Sequence, residues 1–200
     1  MGMKNSDVVG IVLAGGRSSR MGFDKGRIVL DNQGGTDLLT RTARLLDLVT
    51  GRVVVVGCGH DEFESWLDDV ADSGPVSGLA TALRRLGAPC LALACDMPFM
   101  DEATLRTLLD ARQQRPPATL LTTYASRETG RMETLASVYE PDALEYFERS
   151  LDKGLLKLSL IVPEKFCHTV RYSSEEALPF FAMNSPSDLA AARIIASFRT

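Results

Sequence analysis

The sequence has no excess of basic residues, no closely spaced cysteine pair and no long apolar run, and each absence excludes a class of protein. Its 22 Lys and Arg against 26 Asp and Glu give a net charge of -4, which argues against a protein that neutralises nucleic-acid phosphates over a basic face. None of the four cysteines forms a CxxC pair, so we expect reduced thiols rather than a zinc site. No apolar run approaches the ~18–20 residues of a membrane span, and no signal peptide is recognisable. We therefore expect a cytoplasmic protein that contacts neither nucleic acid nor membrane.

Apolar runs alternate with helical patterns along the 200 residues. β-Branched or continuous apolar runs predict buried strands at 8–13, 52–57 and 90–95. Weaker runs add two candidates, 119–123 and 135–139. Apolar residues near a 3.6-residue period, or suitable starting residues, predict helices at 37–49, 101–112, 142–151 and from about 185 onward. Such alternation indicates a single α/β domain over 1–200, a three-layer α/β/α Rossmann-like fold with a mainly parallel sheet. Ligands of such sheets bind at the carboxyl ends of the strands.

The loop after the first predicted strand concentrates features suited to a polyphosphate. Gly15 and Gly16 let the backbone turn sharply and present successive N–H groups to an anion. Arg17, Arg20 and Lys25 place three cations within nine positions of an otherwise acidic chain. The loop has neither the Walker A nor the GxGxxG pattern. Although a solvated surface loop is the alternative, the cations at a strand end favour phosphate binding.

This loop, LAGGRSSRMGFDKG, resembles that of the sugar-nucleotide and cofactor nucleotidyltransferases. Its RMG-x-DKG form is most similar to the molybdenum cofactor guanylyltransferases (MobA type) and to their cytidylyltransferase relatives. The resemblance implies a nucleotidyltransferase fold, with the nucleotide triphosphate held by the backbone from Leu13 through Ala14, Gly15 and Gly16 to Arg17. It further implies catalytic side chains at Arg20 and Lys25.

A second stretch that resembles the family runs from Gly74 to Leu79, similar to its G-P-L-A-G segment beside the base. Gly and Pro there predict a tight turn, and Gly78 would allow flat contact with a ring. Asp72 resembles the acid that precedes this segment in the family, and a carboxylate accepts hydrogen bonds from the N1–H and 2-amino groups of guanine. A Gly-Pro pair alone predicts only a turn.

A third stretch, Cys95-Asp96-Met97-Pro98, resembles the family's C-D-x-P. Asp96 follows an apolar strand, and a carboxylate at that position suits Mg²⁺, which takes one or two carboxylates plus phosphate oxygens. Asp101 and Glu102 are better placed than Asp96 to begin the next helix. We therefore expect Asp96 to bind the nucleotide, to be a metal ligand and to be a catalytic residue.

The C-terminal part matches the family less closely. Asn184 corresponds to the second asparagine of the family's N-x-N-T-P, whereas Ala182 stands at the first. Asn184 and Ser185 serve equally well as a helix N-cap. The 31–37 segment departs from the family's G-K-P-L. Residues 132–135 lie where relatives contact a pterin, although a loop entering a strand explains them equally well.

The resemblance implies a triphosphate-binding part at about 8–110 and an acceptor-side part at about 111–200. The implied reaction is Mg²⁺-dependent transfer of GMP from GTP to the phosphate of molybdopterin, with transient contacts to cofactor-biosynthesis or molybdoenzyme-maturation proteins. Transfer from CTP is the alternative. Attack by a deprotonated phosphate needs no general base, which fits a chain with 2 histidines and no Ser-His-Asp set.

Two other hypotheses remain at this point. Gly57-Cys58-Gly59-His60-Asp61-Glu62 follows a predicted strand and begins like the GxGxxG of nicotinamide-dependent dehydrogenases, but Glu62 replaces the third glycine. The second hypothesis is a non-catalytic nucleotide-binding module. It remains because Ala182 and the 31–37 segment depart from the family's pattern.

Overall fold

The computed structural model describes residues 4–14, 25–30, 35–69 and 73–198. Seven β-strands and five α-helices lie within these ranges. The strands are β1 Asn5–Leu13, β2 Thr50–Val56, β3 Glu64–Trp66, β4 Cys90–Ala94, β5 Leu121–Ser126, β6 Met132–Tyr139 and β7 Cys167–Tyr172. The helices are α1 Leu38–Val49, α2 Gly74–Leu86, α3 Glu102–Gln113, α4 Leu144–Asp152 and α5 Pro186–Ser197. Over this described part, every helix is too short or too polar to cross a bilayer.

The strands form one sheet in the order β3-β2-β1-β4-β6-β5-β7. β1 pairs in parallel with β2 and β4, whereas β6 runs antiparallel to its neighbours β4 and β5. The mainly parallel α/β sheet is thus confirmed. Two strands went unpredicted, because β3 has only three residues and β7 is half-exposed and mixes polar with apolar side chains.

Helices cover both faces of the sheet, because alternate side chains of each strand point to opposite faces. On β1, Val8 and Val12 join the cluster that α1 and α3 cover. Ile11 and Leu13 join the opposite cluster, which α2 and α4 cover. The α/β/α layering expected from the sequence is therefore confirmed.

A smaller third cluster lies under α5. Ile28 and Leu30, from the segment after the first loop, pack there with Phe99 and Met183. The backbone N–H of Met183 also donates to the carbonyl of Asp96 at 2.9 Å. The segment that begins at Lys25 is thus anchored beside the loop that follows β4.

The predicted turn at Gly74-Pro75 is wrong. Gly74, whose φ is +58°, is the first residue of α2, and Pro75 lies in the first turn of this helix. Proline is well suited there, because the first helical N–H groups have no partner within the helix. The sequence analysis did not predict α2, because short polar residues stand among its helix-forming residues and interrupt the apolar pattern.

Candidate functional site

The candidate site lies where β1 and β4 end side by side. Leu13 is paired with Ala94 across these parallel strands, and Ala14 continues the sheet by donating its N–H to the carbonyl of Val56 at 2.9 Å. The glycine-rich loop and the C-D-x-P loop therefore leave the sheet at the same edge. Several predicted site residues lie outside the described residues: Gly15, Gly16, Arg17, Arg20 and Asp72. Of Lys25 only the backbone is described, at the start of a short 3₁₀ turn.

Asp96 lies two residues beyond β4, in the turn that this strand enters. Its side chain is partly buried, and its Oδ1 is inaccessible to solvent. Asp101, rather than Asp96, caps α3, since an oxygen of its carboxylate accepts the N–H of Thr104 at 2.8 Å. The expectation that Asp101 is better placed than Asp96 to begin this helix is thus confirmed.

Asp96 borders a cleft of about 620 Å³ that also reaches Pro75 at the start of α2. The far wall is formed by residues 130–135, which span the turn before β6 and its first residues, and by residues 156–159. Ala182 and Asn184 complete the lining. The cleft thus joins the C-D-x-P loop, the start of α2 and the C-terminal segment, three stretches that sequence reasoning selected.

Gly78 permits close packing in the fold, and the base contact expected for it stays a prediction. A Cβ at this position would lie 3.2 Å from Leu13 Cδ2, 3.4 Å from Asp68 Oδ1 and 3.5 Å from Val56 Cγ1. The missing side chain lets α2 approach the ends of β1 and β2. Any contact of Gly78 with a base would have to come from its backbone.

Asp68 is a polar residue of this region that the sequence analysis overlooked. Its Oδ1 is buried and accepts no hydrogen bond from the residues that the structure describes. Burial, and then the neighbouring charge of Asp69, raise the pKa of this carboxyl above its ordinary value. No sequence motif identifies Asp68 as a site residue, because only the tertiary fold brings it close to α2.

The C-terminal motif divides into a cap and a cleft residue. Ser185 is the N-cap of α5: its Oγ accepts the N–H of Asp188 at 3.2 Å, and Asp188 Oδ2 accepts the N–H of Ser185 at 2.8 Å. This reciprocal pair is a capping box. Asn184 precedes the cap and lines the cleft, where its Nδ2 donates to the carbonyl of Ala182 at 3.5 Å.

The dehydrogenase hypothesis is not supported at Gly57. A dinucleotide-binding fingerprint opens a helix, whose N-terminus receives the pyrophosphate. Here Gly57 donates its N–H to the carbonyl of Trp66 at 2.9 Å, and the chain bends at residues 61–63 into β3. This loop presents no helix N-terminus to a pyrophosphate.

Glu133, within the 132–135 stretch noted in the sequence, is a buried carboxylate on the cleft. Glu133 is only 5% exposed, and Tyr172 Oη donates to its Oε1 at 2.7 Å. Burial, and then this carboxylate, raise the pKa of Tyr172. The two residues are 39 positions apart, so local pattern could not pair them.

Comparisons with known proteins identify the family. The family model described as "MobA-like NTP transferase domain" matches residues 10–163. A "Probable molybdenum cofactor guanylyltransferase" of Pelotomaculum thermopropionicum is 32% identical, over 94% of this chain and 92% of that protein. The "Molybdenum cofactor guanylyltransferase" of Xanthomonas euvesicatoria is 30% identical, over 88% of this chain and 89% of that protein.

Solved structures share the fold at lower identity. Molybdopterin-guanine dinucleotide biosynthesis protein A from Archaeoglobus fulgidus superposes with a TM-score of 0.74 at 22% identity, covering 95% of this chain and 98% of its own. A CMP:2-keto-3-deoxy-manno-octonic acid synthetase complexed with CTP gives a TM-score of 0.71 at 15% identity, covering 98% and 100%. The sheet, the cleft at its carboxyl edge and the family match over most of the chain lead to one conclusion: this chain belongs to the MobA-like NTP transferase family.

Proposed function

We propose that this protein transfers GMP from GTP to the phosphate of molybdopterin, with release of pyrophosphate. The observation that carries the proposal is the position of Asp96, at the end of β4 and on the cleft, at the same sheet edge as the loop after β1. Family membership and the names of the curated guanylyltransferase relatives support the reaction and the base.

In this reaction an oxygen of the acceptor phosphate attacks the α-phosphorus of GTP. The bond between the α-phosphorus and the bridging oxygen breaks, and pyrophosphate leaves with that electron pair. Both reactants are anions, and the attacking oxygen is already deprotonated near neutral pH. The protein's task is therefore to position the two phosphates and to offset their charge.

The donor set fits magnesium held jointly with substrate. Among the residues that the structure describes, no three His, Cys, Asp or Glu side chains cluster closely enough to hold a metal by themselves. Mg²⁺ commonly binds one or two carboxylates and takes its other ligands from water and phosphate, which Asp96 in an open cleft allows. When bound, the ion would supply positive charge at the phosphate oxygens.

The remaining roles follow the resemblance of the first loop. The backbone from Leu13 to Arg17 would donate N–H groups to the triphosphate, and Arg20 and Lys25 would offset charge on the departing pyrophosphate. Asp72 would accept hydrogen bonds from guanine. The anchoring of Ile28 and Leu30 beside Phe99 supports an approach of the Lys25 segment to the Asp96 loop.

The test is pyrophosphate release from GTP and Mg²⁺ in the presence of molybdopterin. We expect Asp96→Asn and Lys25→Ala each to lower the rate by about 10²–10³-fold, the usual effect of removing one preorganised charge-stabilising contact. Asp110→Asn, an exposed carboxylate on α3, is the matched control and should retain full activity. Wild-type rates in Asp96→Asn would refute the role given to this residue.

Thermal-shift measurements with the four nucleoside triphosphates and Mg²⁺ test the choice of base. A ligand at 100 times its Kd stabilises the folded state by about 2.7 kcal/mol. The nucleotide that binds most tightly therefore raises the melting temperature most, and we expect this to be GTP. A larger shift with CTP would replace the guanylyltransferase with a cytidylyltransferase. Stabilisation by GTP without any pyrophosphate release would indicate a non-catalytic binding module.

A further inference from the structure

Arg41, on α1, is hydrogen-bonded to the loop that carries Asp96. Its Nη2 donates to the carbonyl of Met100 at 2.9 Å, and its Nη1 is inaccessible to solvent. Met100 lies in the C-D-x-P loop together with Asp96, between β4 and α3. A hydrogen bond from a charged donor is about twice as strong as one between neutral groups, and exclusion of water strengthens it further. Arg41 therefore ties α1 firmly to this loop.

The same end of α1 is also attached to the segment that begins at Lys25. Leu38, the first residue of α1, donates its N–H to the carbonyl of Ile28 at 3.0 Å. The N–H of Arg41 donates to the carbonyl of Asp37, the N-cap, at 2.9 Å, so Arg41 lies one helical turn beyond the cap. The beginning of α1 thus contacts both the Lys25 segment and the C-D-x-P loop.

Other contacts hold the C-D-x-P loop in place independently of Arg41. The N–H of Met183 donates to the carbonyl of Asp96 at 2.9 Å, and the N–H of Met100 donates to the carbonyl of Met97 at 3.3 Å. The side chains of Met97 and Met100 are buried in the core. Removal of the Arg41 guanidinium should therefore leave the loop folded, while its end becomes free to shift relative to α1.

We propose that Arg41 is a positioning residue, which aligns the loop of Asp96 with the segment of Lys25 so that both charges reach one triphosphate. This inference rests on the proposed function for the roles of Asp96 and Lys25. Arg41 itself would touch neither substrate nor metal, and its effect on the site would come through the C-D-x-P loop. Groups that orient a metal ligand from outside the site typically contribute about 10–100-fold to metal affinity or activity.

The test is the affinity for GTP, measured by isothermal titration calorimetry with Mg²⁺ and again with EDTA. In Arg41→Met the affinity with Mg²⁺ should fall about tenfold, because the displaced carboxylate of Asp96 no longer reaches an ion bound to the triphosphate. With EDTA no ion joins Asp96 to GTP, so this variant should bind GTP as the wild type does. Arg41→Lys should show the same selective loss at about threefold, since an ammonium group is shorter in reach but still donates a charged hydrogen bond.

Arg44→Met is the matched control, because Arg44 is an exposed residue of α1 that pairs with Glu62. This variant should bind GTP as the wild type does under both conditions. Circular dichroism establishes that each variant is folded at the temperature of the titration, and Arg41→Lys decides the question if Arg41→Met does not fold. Equal losses with Mg²⁺ and with EDTA would indicate a merely structural role for Arg41 and overturn the proposal, as would wild-type affinity with Mg²⁺.

A double-mutant cycle on pyrophosphate release tests whether Arg41 acts through Asp96. Arg41→Met should lower the rate of the wild-type protein about tenfold or more. It should change the rate of Asp96→Asn by less than about twofold, because the carboxylate through which Arg41 acts is already gone. Losses that simply multiply would overturn the proposal. Absence of pyrophosphate release by the wild-type protein would refute the proposed function instead, since the titrations with Mg²⁺ and EDTA judge Arg41 without turnover.

Discussion

At the scale of the residue, the absence of a side chain at Gly10 sets how closely α1 approaches β1. A Cβ there would lie 2.9 Å from Thr50 Oγ1 and 3.0 Å from Leu46 Cβ, both on buried residues. The first distance is shorter than real Cβ contacts and the second is tighter than most of them, so Thr50 and the end of α1 would have to shift. Because β1 is central in the sheet and carries the glycine-rich loop at its end, this contact bears on both stability and site geometry.

We expect Gly10→Ala to lower the free energy of unfolding by about 1–3 kcal/mol, the usual cost of inserting a methyl group into a well-packed core. Urea unfolding followed by circular dichroism measures the loss. Gly51→Ala is the control, because a Cβ on this strand glycine would meet Ser6 at ordinary distances, 3.5 Å to its Cα and 3.8 Å to its Cβ. Equal stability of the two variants would mean that α1 does not press on β1 as described.

At the scale of the element, capping residues decide where the helices begin. Asp37 Oδ1 accepts the N–H of Thr40 at 2.8 Å at the start of α1, and Asp101 does the same for α3. The sequence placed both helices with their caps included, since an acid before an apolar period is a reliable local signal. The helix at 142–151 is confirmed less closely, because its first turn is a 3₁₀ turn, Pro141–Ala143, and α4 follows from Leu144.

The cap of α1 should make stability depend on pH. Burial acts to raise the pKa of Asp37, but the hydrogen bonds from Thr40 and the charge of Arg27 outweigh it, so the pKa lies below its ordinary value of 3.8. A carboxyl whose pKa is lowered by folding stabilises the protein fully above its unfolded-state pKa. That stabilisation is lost as the pH falls from 3.8 through the folded-state pKa.

Asp37→Ala should therefore cost about 1 kcal/mol at pH 7, and the difference from wild type should shrink below pH 3.8. Urea unfolding between pH 3 and pH 7 provides the measurement. Asp110→Asn, on the exposed side of α3, should show no such convergence with the wild type. A difference that stayed constant down to the lowest pH would contradict a role for the ionised carboxylate.

At the scale of the whole molecule, a buried ion pair ties α3 to the end of β6. Arg112 Nε and Nη2 donate to the two carboxylate oxygens of Glu140 at 2.7 and 3.0 Å. The two side chains are only 10% and 9% exposed. Since β6 also carries Glu133 into the cleft, this pair connects a covering helix to a site-bearing strand.

Glu140→Gln should lower the free energy of unfolding by about 3–5 kcal/mol, because it leaves the buried guanidinium without its countercharge. Urea unfolding again gives the value. Arg112→Met combined with Glu140→Met should recover part of it, since both charges of the pair are removed, although Arg115, whose Nε lies 3.1 Å from Glu140 Oε1, loses this partner. Glu145→Gln, which removes an exposed partner of Arg149, should change stability very little. A similarly small effect for Glu140→Gln would show that water reaches the Arg112–Glu140 pair.

Local chemistry in the sequence by itself determined the three long buried strands, most helices with their caps, and the Asp96 loop at a strand end. Those features follow from residue periodicity and from short-range capping, so residues close together in the sequence are enough to predict them. Only the tertiary structure decided that Gly74-Pro75 begins a helix, that Gly78 packs against Leu13, and that Glu133 meets Tyr172 in the cleft. Each of these depends on contacts between residues far apart in the chain, and the energy of such contacts has no signature in any local stretch of sequence.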